Sequence, residues 1–153
     1  MLTESHFHAP WWARNPHLQT ILPKWLRRAP ARFTQERFEL PDGDFVDLAW
    51  STGSHRDEQP LIVLFHGLEG SIHSHYAKGL FAHLQQQGQE AVLMHFRGCS
   101  GEPNRLLRAY HSGAIDDAQA VIAELGRRFP GKPLIAIGYS LGGNMLVNLL
   151  ARA

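Results

Sequence analysis

Ile135-Ala136-Ile137-Gly138-Tyr139-Ser140-Leu141-Gly142-Gly143-Asn144 reads as an apolar strand, then Gly-x-Ser-x-Gly, then the start of a helix. The glycines have a physical basis. A serine on a sharp strand-to-helix turn occupies strained backbone, and side chains beside it would collide with strand and helix unless they are hydrogens. Such a turn lifts the Ser140 hydroxyl clear of a sheet. The helix behind it aims its positive dipole end and unpaired N–H groups at the same place. Glycine and serine are common residues, so the spacing alone says little. Between an apolar strand and an apolar helix it predicts a nucleophile, the plainer reading being a tight turn.

Upstream, 118–129 carries Ala118, Val121, Ile122, Leu125 and Phe129 at helical spacing, with Asp116 and Asp117 at its start and Arg127 and Arg128 at its end. Two more apolar runs, Leu61–Phe65 and Ala91–Met94, have the continuous character of parallel strands covered on both faces. Between them a helix places Ala77, Leu80, Phe81 and Leu84 on one face and stops near Gly88. Residues 33–40 and 45–50, joined by Pro41-Asp42-Gly43, read as a hairpin. Residues 51–59 read as a polar loop, and Cys99 to Gly113 as a long one carrying Glu102, Asn104, Arg105, Arg108, Tyr110 and His111. Strand, helix, strand, helix, strand, helix after a hairpin predicts an α/β architecture, a mainly parallel sheet with helices on both faces. Ligands of such sheets gather at the carboxyl ends of the strands, where Gly67, Gly98 and Ser140 all lie.

The chain has 153 residues, 44% of them hydrophobic, and a formal net charge of +1. That suits one globular core burying about 70% of its unfolded surface. It offers no basic stripe for nucleic acid. Cys99 is the only cysteine, which excludes an intrachain disulfide and makes a reducing compartment the default. No run has the ~18 apolar residues of a membrane span and no leader pattern opens the chain, so the expected location is cytoplasmic. Residues 1–30 form a separate amino-terminal arm in which Trp11, Trp12 and Trp25 alternate with Arg14, Lys24, Arg27 and Arg28. Asn15-Pro16 predicts a helix start. Leu18, Ile21, Leu22, Trp25 and Leu26 share one face, and Pro23 predicts that the helix is broken or kinked. The preferred reading packs the arm on the domain through its tryptophans. The alternative is an amphipathic segment touching a membrane surface weakly through residues 11–28, or covering an acyl site.

A serine hydroxyl at its free pKa is a poor nucleophile and needs a base, a group orienting the base, and donors for the oxyanion. The turn offers the backbone N–H of Leu141. The loop after Phe65, His66-Gly67-Leu68, offers a second, from Leu68, with Gly67 allowing close approach of the substrate. The plainer reading of His-Gly here is a simple strand-to-helix turn. His66-Gly67-Leu68-Glu69-Gly70-Ser71, His95-Phe96-Arg97-Gly98-Cys99-Ser100-Gly101-Glu102-Pro103-Asn104-Arg105, Tyr110-His111-Ser112-Gly113 and Gly138-Tyr139-Ser140-Leu141-Gly142-Gly143-Asn144 together resemble the YheT-like group of the AB hydrolase superfamily. Asn15-Pro16-His17-Leu18-Gln19-Thr20 resembles that group's amino-terminal region. The resemblance runs over nearly the whole chain. It implies an α/β-hydrolase fold and hydrolysis of carboxylic esters, of the short-chain esterase or acylglycerol lipase type, without a cofactor. Ser140 would be the nucleophile, Leu68 and Leu141 the oxyanion donors, and His66, Gly67, Gly138 and Gly142 the supporting turns.

One departure matters. In this fold the triad runs Ser, Asp or Glu, His along the chain, and Leu141 to Ala153 contains no acid and no histidine. The expectation is an incomplete hydrolase domain over 31–153, inactive alone, with strand 134–137 an apolar edge prone to self-association. Among upstream histidines only His73, His75 and His111 are candidates for a substitute base. His6-x-His8 and His73-x-His75 lack the further ligands of a metal site, so none is expected. Arg97, Glu102, Arg105 and Tyr110 either bind substrate or tie the long loop to the sheet, and the second is preferred. Cys99 is expected to be inert. The rival function is a non-catalytic binding module on the same scaffold.

Overall fold

The computed structural model describes residues 7–26, 30–52 and 59–152. Expectations that fall on His6, on the side chains of Lys24, Trp25 and Leu26, on Arg27 and Arg28, and on the middle of the 51–59 loop lie outside the described residues.

A five-stranded sheet runs β1 (Phe33–Glu39), β2 (Phe45–Ser51), β4 (Ala91–Met94), β3 (Leu61–Phe65) and β5 (Leu134–Gly138) across its width. β1 and β2 form the antiparallel hairpin, with Phe33 opposite Ser51 and Glu39 opposite Phe45. β2 also pairs antiparallel with β4, while β3 pairs parallel with both β4 and β5. The sheet is therefore mixed, its parallel part holding the three apolar runs. β3 lies between two parallel neighbours, and all five of its residues are buried.

Alternation along β3 shows why the run must be apolar throughout. Ile62 and Leu64 face one side, where they join Ile72, Ala77 and Phe81 beneath α2 (His75–Gln86). Leu61, Val63 and Phe65 face the other, against Ala118, Val121 and Leu125 of α3 (Asp116–Arg128) and Met145 and Leu149 of α4 (Leu141–Leu150). Each such leucine, valine or phenylalanine contributes about 1.5–3 kcal/mol by leaving water. α2 ends at Gln86, and Gly88 just beyond it, with φ 67°, turns the chain so that Gln89 N–H reaches Leu84 O at 2.9 Å. β5 is the edge of the described sheet, and Ile135 is 47% exposed there.

The arm differs from expectation in two ways. α1 (Pro16–Leu26) is one continuous helix, capped by Asn15 Oδ1 accepting His17 N–H at 2.9 Å. Pro23 falls in its second half. It withholds an N–H from the carbonyl of Gln19 without ending the helix. The second correction concerns Trp11 and Trp12, which are 81% and 51% exposed on a short 3-10 turn, Trp11–Ala13. They do not pack the arm onto the domain. α1 instead leans on that turn, with Gln19 Nε2 donating to Ala13 O.

Candidate active site

Ser140 sits at φ 51° and ψ −113°, one of two non-glycine residues with positive φ among those described. This is the strained geometry the motif predicts, and the residue is exposed. The flanking glycines are demanded by contact. A Cβ on Gly138 would lie 2.6 Å from Gly142 O and Gly143 Cα, and one on Gly142 would lie 2.5 Å from the carbonyl oxygens of Phe65 and His66. The helix behind the serine thus presses directly on the end of β3. Tyr139 N–H donates to Phe65 O at 3.0 Å and locks the two strand ends together.

The loop after β3 reaches the serine through Gly67, where an added Cβ would touch Ser140 Cβ at 3.4 Å. Its backbone donors are almost all occupied. Gly67 N–H donates to Tyr76 Oη at 2.9 Å, Glu69 N–H to Tyr110 Oη at 2.8 Å, and Gly70 N–H to Gly67 O at 3.0 Å. Ser71 N–H donates to Ser74 Oγ at 3.1 Å, and Ile72 N–H to His95 Nε2 at 3.2 Å. Leu68 N–H has no partner among the described residues. Neither does Leu141 N–H at the start of α4, although Gly142 N–H and Asn144 N–H bond Tyr139 O and Ser140 O. Ser140 and Gly143 N–H likewise have no partner among the described residues, so Leu68 and Leu141 are two of four unpaired amides around the serine turn.

His66 and His95 are buried structural groups. His66 Nδ1 lies 2.7 Å from Gly67 O and its Nε2 accepts Phe96 N–H at 3.0 Å, which fixes a neutral ring protonated on Nδ1. Burial pushes its pKa down to about 4, against the opposing pull of the Gly67 carbonyl and with help from nearby His95. His95 is lowered for the same reason; it accepts Ile72 N–H and bonds Asp47 O at 3.0 Å. Neither is free to act as a base.

Gly67, Leu68, Glu69, Gly70, His73, Ser74, His75, Tyr76 and Ser140 line one open cleft of about 550 Å³. His73 and His75 thus reach the serine's cleft. His111 is not among the lining, its Nδ1 accepting Gly113 N–H at 3.2 Å. No hydrogen bond joins the Ser140 hydroxyl to a side chain among the described residues. Nor does any group of three His, Cys, Asp or Glu among them suit a metal ion.

The long loop is held by ions. Arg97, 5% exposed, donates to Asp117 at 2.6 and 2.7 Å, to Asp44 at 2.8 Å and to Asp42 at 2.8 Å. Burial pushes Asp44 up, but bonds from Asn104 and from the Arg105 and Phe45 N–H groups outweigh it and hold the carboxylate at about 2. Glu102 pairs with Arg37 at 2.8 Å and Arg105 with Glu39 at 2.8 Å. These residues tie hairpin, loop and α3 together, as preferred above. Burial raises the Cys99 thiol, which disfavours the reactive thiolate. Sequence reasoning missed Tyr76, which bonds the loop, and the aspartate partners of Arg97; the carboxylates of the Asp42-Gly43-Asp44 turn were the available signal.

Compared with known proteins, residues 60–153 match the family model described as alpha/beta hydrolase fold. The chain belongs to the alpha/beta hydrolase fold family. It is 55% identical over 141 residues to YheT of Escherichia coli (strain K12), covering 90% of this chain and 41% of that protein. It is 25% identical over 158 residues to phospholipase ABHD3 of Mus musculus, covering 99% of this chain and 38% of that one. Among solved structures, the Pyrococcus furiosus esterase Pf2001 superposes with a TM-score of 0.63 at 19% identity, over 80% of this chain and 48% of that one. The chain thus spans about two fifths of the length of the curated relatives it matches. Within this alpha/beta hydrolase fold, Ser140 occupies the strand-to-helix turn and shares its cleft with Leu68.

Proposed function

We propose that this alpha/beta hydrolase domain hydrolyses carboxylic esters through an acyl-enzyme on Ser140. Leu68 and Leu141 N–H groups are the oxyanion donors, with His66, Gly67, Gly138 and Gly142 as the supporting turns. The observation that carries the reading is the pattern of amides: the neighbours of Leu68 in its loop are bonded while Leu68 N–H is not, and Leu141 N–H is among the unpaired amides of an exposed, strained serine turn that shares its cleft with Leu68. Two such donors supply much of the rate, since losing one typically costs about 3–4 kcal/mol of transition-state stabilisation. Esters or acyl lipids are the substrate class, supported by relatives named phospholipase and by the exposed Leu68 at the cleft mouth, where an acyl group would rest. The acid and histidine of the triad are proposed to come from sequence that the relatives carry beyond the matched region. In that case the chain alone turns over little or not at all. The test is p-nitrophenyl acetate hydrolysis by the chain and by the chain extended to the relatives' length. Turnover abolished by Ser140→Ala supports the proposal, and turnover indifferent to that change, or absent from the extended protein, leaves the rival binding-module reading.

Two partner proposals accompany it. Exposed Trp11 and Trp12 beside Arg14 support a weak contact of residues 11–28 with a membrane surface. Co-sedimentation with anionic vesicles that Trp11→Ala/Trp12→Ala does not reduce would refute this. The exposed edge of β5 supports self-association of the chain, which a monodisperse monomer in light scattering would contradict.

A further inference from the structure

The long loop between β4 and α3 carries Tyr110, and α2 carries Tyr76. Neither has a part in the acyl transfer described above, yet both hydroxyls end on the same three residues of backbone. Tyr76 Oη takes Gly67 N–H at 2.9 Å and Tyr110 Oη takes Glu69 N–H at 2.8 Å. The amide between them, Leu68, is the one left over. Each tyrosine is braced from behind. The Tyr110 ring stacks on Phe96 with centroids 5.1 Å apart and planes 7° apart. The Tyr76 ring lies on Tyr139, the residue before the serine, at 4.5 Å. The residue Tyr110 holds is also strained: Glu69 has φ 51°, and the peptide that carries its N–H begins at the Leu68 carbonyl.

We propose that Tyr76 and Tyr110 are positioning residues that clamp the loop on either side of Leu68 and so hold the Leu68 N–H toward the oxyanion formed at Ser140. This gives the long loop a role in the site, and it rests on the acyl-transfer reading. The geometry has a simple logic. An amide that must stay free for an oxyanion cannot be held by its own hydrogen bond, so its plane is held through Gly67 O, which accepts Gly70 N–H at 3.0 Å, and its two ends through the bonded amides of Gly67 and Glu69. One clamp comes from α2 and the other from the loop that the Arg97 ion network fixes to the hairpin and α3.

Phenylalanine keeps each ring stack and removes only the hydroxyl, so Tyr76→Phe and Tyr110→Phe isolate the clamp. In the chain extended to its relatives' length, each is expected to lower kcat for p-nitrophenyl acetate about tenfold with KM within twofold, short of the ~10²–10³ for complete loss of an oxyanion donor. Affinity for a boronic acid that mimics the tetrahedral state should fall by the same factor. A purely structural role would move the melting temperature and KM instead. Amide hydrogen exchange on the chain itself reads the clamp without catalysis. Gly67 and Glu69 should be protected and Leu68 fast, and Tyr110→Phe should speed Glu69 about tenfold while β3 amides stay unchanged. Unchanged kcat in both variants, in a protein that Ser140→Ala inactivates, overturns the clamp and spares the acyl-transfer reading. Turnover indifferent to Ser140→Ala overturns that reading and with it the oxyanion role of the clamp.

Discussion

Gly142→Ala is the smallest change that tests how the serine turn is built. Its new Cβ would lie 2.5 Å from the carbonyl oxygens of both Phe65 and His66, about 0.9 Å short of ordinary contact at 3.4 Å. Both obstacles are backbone, and Phe65 is fully buried at the end of β3, so the strand cannot yield cheaply. His66 is just as buried, so either its end of the loop or the start of α4 must give. Overpacking of this kind costs about 1–3 kcal/mol, and the backbone obstacle argues for the upper end. For a domain of this size that lowers the melting temperature by roughly 6–12 °C. The functional effect is larger, because a shift at either place carries an oxyanion donor, Leu68 or Leu141, with it. Displacing one oxyanion donor predicts a loss of ~10²–10³ in rate. The assays are thermal melting of the chain, fluorophosphonate labelling of Ser140, and p-nitrophenyl acetate turnover by the extended protein. Gly126→Ala is the control: its Cβ meets nothing within 4 Å in the interior of α3, so it should stabilise by about 0.5–1 kcal/mol. A Gly142→Ala protein that melts with the wild type and labels at the same rate would refute the reasoning.

Arg97→Met removes the cation shared by Asp42, Asp44 and Asp117 and leaves two buried carboxylates uncompensated. A loss of about 3–5 kcal/mol is expected in guanidinium unfolding, and one below about 1 kcal/mol would show that the network is not what holds the long loop. The pH dependence follows from His66. Its folded pKa of about 4 lies below the ordinary 6.5, so the unfolded chain binds the extra proton first. The stability it contributes is whole above pH 6.5 and is lost as pH falls from there toward 4, by about 3 kcal/mol. Guanidinium midpoints should be flat from pH 8 to 7 and fall below 6.5, with a shallower fall in His66→Gln. A flat profile from pH 7 to 4.5 would contradict the buried neutral ring.

What could be read from the residues alone was whatever is encoded locally. β3, β4 and β5 announce themselves as apolar runs because each residue meets a covered face, and the serine turn because glycine is forced on both sides of it by contact. The hairpin followed from Pro41-Asp42-Gly43. The attachment of β2 to β4 could not be seen, since backbone pairing between distant strands leaves no mark on composition. Nor could the Arg97 network, whose partners lie 20 to 55 positions away. Tyr76 passed as one more helical residue beside Ala77, because its hydroxyl matters only once the loop after β3 folds back on α2. The tryptophans misled for the opposite reason. Their size suggests burial, and only three-dimensional placement shows that Trp11 and Trp12 face outward.

The most direct measurement is mass spectrometry of Ser140 after treatment with a fluorophosphonate, on the chain and on the chain extended to its relatives' length. The account predicts one adduct, on the peptide containing Ser140, forming faster in the extended protein and missing from Ser140→Ala. No adduct in either protein, or an adduct that persists in Ser140→Ala, would contradict it.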